Sequence, residues 1–159
     1  MLASSLDMLE ESLKKKIEIM TEIEAENERQ KEVLSNPDSV NEDLFDATVD
    51  TKGELIDKLV ALDDGFQSLF DRVKEEVGSN REKFADQIKR MQALIEEVTA
   101  KSASIEAAER RNKKLAETYF DTARQKMNVS KQTSAAAFNY YRTMNNFKDI
   151  PPQFLDQKN

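Results

Sequence analysis

Apolar residues recur along this chain at steps of three, four and seven, the spacing of one helical face. Nowhere do they alternate strictly enough to suggest a strand. Leu6, Leu13, Met20, Asn27 and Leu34 stand seven apart. Leu2, Leu9, Ile23 and Gln30 fall on the interleaved series, where Lys16 interrupts and Ile17 substitutes beside it. This pattern predicts a helix from about Ser5 to Leu34 whose seam faces other helices. Asn27 in that seam either fixes register or sits half exposed near a fraying end. Pro37, within Ser35-Asn36-Pro37-Asp38, ends the helix in a turn. Asp38, Ser39 or Asn41 then caps a second helix, with Glu42 and Asp43 in its first turn, where acids suit the helix dipole.

The second helix is predicted over 39–77. Phe45, Val49, Ile56, Leu59, Phe66, Phe70, Val73 and Val77 form its stripe, and Leu55, Leu62 and Leu69 widen it. Gly53 and Gly65 lie inside it, at a cost of about 1 kcal/mol each relative to Ala, either tolerated or set by close packing against a neighbour. Gly78-Ser79-Asn80 predicts a turn, after which Ser79 or Asn80 caps a third helix over about 80–125. Its seam is Phe84, Met91, Val98, Ile105, Asn112 and Tyr119. Ile88, Ile95, Ser102, Ala116 and Ala123 interleave, and Glu109 is the exception. The alternative is one helix running on from Asp38, covered by a second chain. The expected fold is therefore all-α: an elongated antiparallel three-helix coiled-coil bundle with a long third helix and a C-terminal amphipathic arm.

Length locates the arm. At about 1.5 Å per residue the first helix is about 45 Å long and the second about 58 Å. A third helix that folds back from Gly78 runs out of partners after about 40 residues, near Tyr119. Charge changes at the same place. Residues 1–117 hold 18 basic and 28 acidic residues, whereas residues 118–159 hold six basic and three acidic. Between Asp121 and Asp149 there is no acid, but this stretch carries Met127, Val129, Phe138, Tyr140, Tyr141, Met144 and Phe147. Ala136, Tyr140, Met144 and Phe147 mark one helical face. The expected organisation is a bundle over 1–118, an arm over 119–148 and a flexible Pro-containing tail over 149–159, in which Pro151 and Pro152 end the helix and the apolar pair Phe154-Leu155 reads as a disordered terminus.

The arm admits three readings. It folds back as a short fourth helix, pairs with another copy, or holds a partner's helix. Tyr119, Met127, Val129, Phe138, Tyr140, Tyr141, Met144 and Phe147 are its candidate partner-binding residues, since Met and aromatic side chains suit adaptable contacts. Burying a stripe of about 500 Å² supplies roughly 12 kcal/mol. Ordering about 25 residues at about 1 kcal/mol or more each costs more than that. The arm is therefore expected to order around a partner.

Composition removes other classes. The chain has 159 residues, 38% hydrophobic and 35% charged, with a net charge of −7 and no Cys, His or Trp. That size suits one domain. Cys or His metal ligation, disulfides and Cys–His or Ser–His catalysis are excluded. Di-iron bundles need Glu-x-x-His, and the three glycines are too dispersed for a phosphate loop. No enzyme and no cofactor is expected. The acidic balance argues against nucleic-acid binding. No apolar run is long enough to span a bilayer, and the N-terminus does not read as a signal peptide. The basic run Arg110-Arg111-Asn112-Lys113-Lys114 is expected to be balanced by acids on adjacent helices, such as Asp43 and Asp46.

Three stretches carry a family resemblance: ATVDTKGELIDKLVALDDGFQSLFDRV over 47–73, ERRNKKL over 109–115, and the ending AAAFNYYRTMNN followed by PPQFLDQK. In these the chain resembles the flagellar type III export chaperones for hook-associated proteins, the FlgN-like family, in its clostridial and related Gram-positive form. The resemblance implies a cytoplasmic helical chaperone. Such a chaperone binds the helical terminal segments of hook–filament junction proteins through its C-terminal region, prevents their premature assembly and hands them to the export gate. In the family a tyrosine after the substrate helix is tied to docking at that gate, and Tyr140 or Tyr141 is the matching position. The rival readings are a structural, self-associating coiled-coil protein, which implies a homodimer, and an adaptor of a regulatory protein.

Overall fold

The computed structural model describes residues 4–126 and Asn139. Four helices account for most of them: α1 (Ser5–Val33), α2 (Glu42–Asp64), α3 (Phe66–Val77) and α4 (Ala85–Lys126). The described residues contain no strand. α1 is the axis of the molecule, and α2, α3 and α4 all pack against it. α2 and α3 run antiparallel to α1. Gln30 thus meets Thr48, Lys16 meets Asp63, and the Ser5 backbone N–H donates to both Glu76 carboxylate oxygens, at 3.0 and 3.1 Å. α4 returns alongside α1 in the same direction, with Arg90 on Glu10, Lys101 on Glu24 and Arg111 on Glu28.

The predicted seams form the core. Leu6, Leu9, Leu13, Met20, Ile23 and Leu34 of the first helix and its end are all buried, as are Phe45, Leu55, Ile56, Leu59 and Leu69 opposite, and Met91, Val98, Ile105 and Ala116 on α4. Caps set the boundaries. Ser4 Oγ accepts from the Asp7 N–H at 3.1 Å to start α1, and Asn41 Oδ1 accepts from the Leu44 N–H at 3.1 Å to start α2.

Three breaks differ from the sequence reading. The second helix is two. Gly65, at φ −93° and ψ 0°, caps the end of α2 and the start of α3. The last turn of α2 holds Asp63 and Asp64 and no basic residue, against the negative end of the dipole, and glycine is the weakest helix former after proline. Close packing is not the reason for either interior glycine, because a Cβ on Gly53 or Gly65 meets nothing within 4 Å. Gly78, with φ +42°, is a true turn in a conformation that favours glycine. The continuous helix through it is therefore absent. α4 then begins at Ala85 and not at 80, because Lys83, Phe84 and Ala85 donate back three residues, in a tight lead-in, before the first α-type bond from Ile88 to Phe84 at 2.9 Å.

The interruptions in the seams are themselves core. Lys16 is 4% exposed; it is not displaced by Ile17. Its Nζ donates to Asp63 Oδ1 at 2.9 Å and lies 5.3 Å from the centroid of the Phe66 ring. Asn27 is fully buried, which removes the frayed-end reading. It belongs to a polar layer shared by three helices. Lys52 Nζ lies 2.7 Å from Glu109 Oε1 and donates to Gln30 Oε1 at 3.0 Å. Gln30 Nε2 donates to Thr48 Oγ1 at 3.1 Å, and Asn112 Nδ2 donates to Gln30 Oε1 at 3.1 Å and to the Asn27 carbonyl at 2.9 Å. Burial pushes the Lys52 ammonium below its ordinary range, and the Glu109 carboxylate opposes that shift. A slip of either partner helix along α1 breaks several of these bonds at once, so the layer fixes register.

Candidate partner-binding surface

The end of the bundle reached by α4 closes over an aromatic cluster. Leu34 from the turn after α1, Phe45 from α2, and Ala116 and Phe120 from α4 are buried together. The Phe45 and Phe120 rings meet edge to face at 6.1 Å. Tyr119 lies on the rim, half buried, 5.6 Å from Phe45 and 5.5 Å from Phe120. Nearly two turns further on, Lys126 Nζ donates to the Asp38 carbonyl at 3.0 Å and pairs with its carboxylate at 3.2 Å. The last turns of α4 therefore sit against the α1–α2 connection, where the first two helices end.

This end is acidic. Glu42, Asp43, Asp46 and Asp50 crowd the start of α2. Burial, then Asp50 and Asp43, push the Asp46 carboxyl above its ordinary range. Burial, then Glu42 and Asp46, raise the Tyr119 phenol. An aromatic rim with an acidic collar thus stands where the chain enters its net-basic stretch. Such a surface can hold an apolar, positively charged segment. Among the described residues no group of carboxylates is arranged to hold a metal ion, and no helix is long and apolar enough to cross a membrane.

Of the eight candidate partner-binding residues, Tyr119 alone is described. Met127, Val129, Phe138, Tyr140, Tyr141, Met144 and Phe147 lie outside the described residues. Tyr119 does not begin a separate arm. Residues 119–126 continue α4, and Phe120 completes the cluster. Of the basic run, Arg111 pairs with Glu28 on the adjacent α1 at 3.3 Å, and Arg110 pairs with Glu106 one turn earlier on α4 itself.

At the opposite end a cleft of about 340 Å³ opens between α3 and the start of α4, with Leu6 and Leu9 of α1 among its lining. Phe70, 38% exposed, Val73 and Val77 form one wall. Ile88, Met91 and Ile95 form the other, and Lys74 and Arg81 are its charged residues. Sequence periodicity placed these apolar residues in the core. It could not show that the break at Gly65 and the turn at Gly78 leave them partly uncovered. No family model, curated protein or solved structure matches the chain.

Proposed function

We propose that this protein is a flagellar export chaperone that binds helical terminal segments of hook-associated proteins through the stretch following α4. By this reading it keeps those segments from premature assembly and delivers them to an export-gate component in the cytoplasm. The observation that carries the reading is the contact that the end of α4 makes with the rest of the bundle. Phe120 and Lys126 contact the connection between α1 and α2, and the next 22 residues, 127–148, still carry two Met, two Phe and two Tyr with no acid. In sequence, Ala136, Tyr140, Met144 and Phe147 of that stretch recur at the spacing of one helical face, as client capture by helix-in-groove contacts requires. The resemblance in 47–73, 109–115 and the ending supplies the client class, and Tyr140 or Tyr141 the gate contact.

The test uses the full chain with Phe138→Ala, Tyr141→Ala and Met144→Ala combined. Binding to the terminal helical segments of a hook-associated protein is expected to weaken by at least about tenfold, about 1.4 kcal/mol, with the melting temperature of the bundle unchanged. Unchanged binding rules the reading out. A concentration-dependent dimer in sedimentation that dissociates in the same variant instead favours the self-associating coiled coil.

A further inference from the structure

The cleft between α3 and α4 has the form of a groove for one more helix. We propose that it docks an acidic amphipathic helix of a partner protein, with apolar residues at i, i+3 and i+7 and carboxylates on the flanks. The first support is the repeat on its walls. α3 leaves α2 at Gly65 and packs on α1, as α4 does, and the cleft opens between the two. Phe70, Val73 and Val77 stand at i, i+3 and i+7 on α3, and Ile88, Met91 and Ile95 repeat that spacing on α4. Each row is about 10 Å long, two helical turns. Of the six, Met91 is buried, Phe70 is exposed and the other four are half-buried. Leu6 and Leu9 of α1 join them. A third row with the same spacing matches both walls, which is how a groove between helices takes an apolar helical face.

The second support is charge. Lys74 and Arg81 line the cleft and no carboxylate does. Among the described residues neither makes an ion pair, whereas Arg90, Lys101 and Arg111 of α4 are each taken by a glutamate of α1. Lys74 Nζ lies 5.2 Å from the centroid of the exposed Phe70 ring, so an aromatic anchor and a cation stand together at the rim. In a chain of net charge −7 this is a local reversal of sign, and it favours an acidic helix over a basic one. It disfavours the chain's own residues 127–159, which hold four basic and two acidic residues. The inference does not depend on the client reading above.

Two synthetic helical peptides test it against the full chain. Both carry a Leu stripe at i, i+3 and i+7 and one Trp. One is flanked by Glu, the other by Lys. The chain has no tryptophan, so peptide fluorescence reports binding without background. The Glu peptide is expected to bind at least about tenfold more tightly than the Lys peptide. Lys74→Glu combined with Arg81→Glu is expected to reverse that preference, and Phe70→Ser to weaken both peptides. All three positions are exposed, so the bundle keeps its fold, which circular dichroism checks. Absence of binding, equal binding of the two peptides, or a preference that survives the charge reversal overturns the proposal. So does a dimer in sedimentation that Phe70→Ser dissociates, which puts a second copy in the cleft. Residues 127–159 are unaltered throughout, so failure here leaves the client reading standing.

Discussion

At the scale of single residues, the polar members of the helical seams are what the amino-acid pattern left open. Lys52 stands seven after Phe45 and seven before Leu59, yet a stripe read from apolar residues passes over it. Its partner was not legible either, because a lysine in a seam reads equally well as a half-exposed flank. Glu109 and Asn112 on α4 carried the same ambiguity. Only three-dimensional register puts Lys52 and Glu109 2.7 Å apart, nearly sealed from solvent. Removing one member strands the other. Glu109→Leu alone is therefore expected to cost about 3–5 kcal/mol, and Lys52→Met with Glu109→Leu much less than the two single changes combined. Urea denaturation of the four-member cycle measures this. A pair with one exposed member, Arg90, and one buried member, Glu10, behaves differently. Arg90 donates to both oxygens of Glu10, at 3.0 and 3.3 Å, and this, with Gln87 helping, holds the Glu10 carboxyl below its ordinary value of 4.5 despite opposing desolvation. A depressed folded-state pKa gives stability that is present above 4.5 and lost as pH falls through the lowered value. Between pH 5 and strongly acidic conditions the wild type should lose more stability than Arg90→Gln, as chemical denaturation at stepped pH will show.

At the scale of elements, periodicity found the helical segments, but of their N-caps only Asn41, one of three candidates, stands. It placed the end of the first helix and the turn at Gly78 to within a residue or so. It missed the division at Gly65 because the apolar stripe runs on across it: Leu59, Phe66 and Val73 keep the seven-residue step from α2 into α3. The cause is electrostatic and conformational and leaves no mark on the stripe. Two carboxylates occupy the last turn before a glycine, and one of them is drawn to Lys16. The two glycines should therefore respond oppositely to alanine. Gly65→Ala meets open space at negative φ and is expected to be neutral or to stabilise by about 0.4–1 kcal/mol. Gly78→Ala forces a Cβ into positive φ, with the Glu75 carbonyl 3.3 Å away, and is expected to cost about 1–2 kcal/mol. Thermal melts of the two variants decide it, and equal shifts would contradict this account of the breaks.

At the scale of the whole molecule, one helix serves as the axis for the other three, and two ends differ in character. One is an aromatic cluster beside the acids of α2, where the end of α4 packs on the α1–α2 connection. The other is an apolar cleft bordered by two cations. Of the first, only the change of charge after Asp121 was readable; helix length alone runs α4 out of partners near Tyr119, whereas Phe120 is buried against Leu34 and Phe45 and Lys126 pairs with Asp38. Cutting the chain after Thr118 removes Phe120 from the cluster, so the cut that spares the bundle falls after Lys126. Calorimetric titration of a hook-associated protein's terminal helical segment into the full chain and into the chain ended at Lys126 is the most direct test of client capture. The account predicts binding by the full chain and none by the shortened one, with helical circular dichroism per residue and cooperative melting retained. Equal affinity in the two would contradict it.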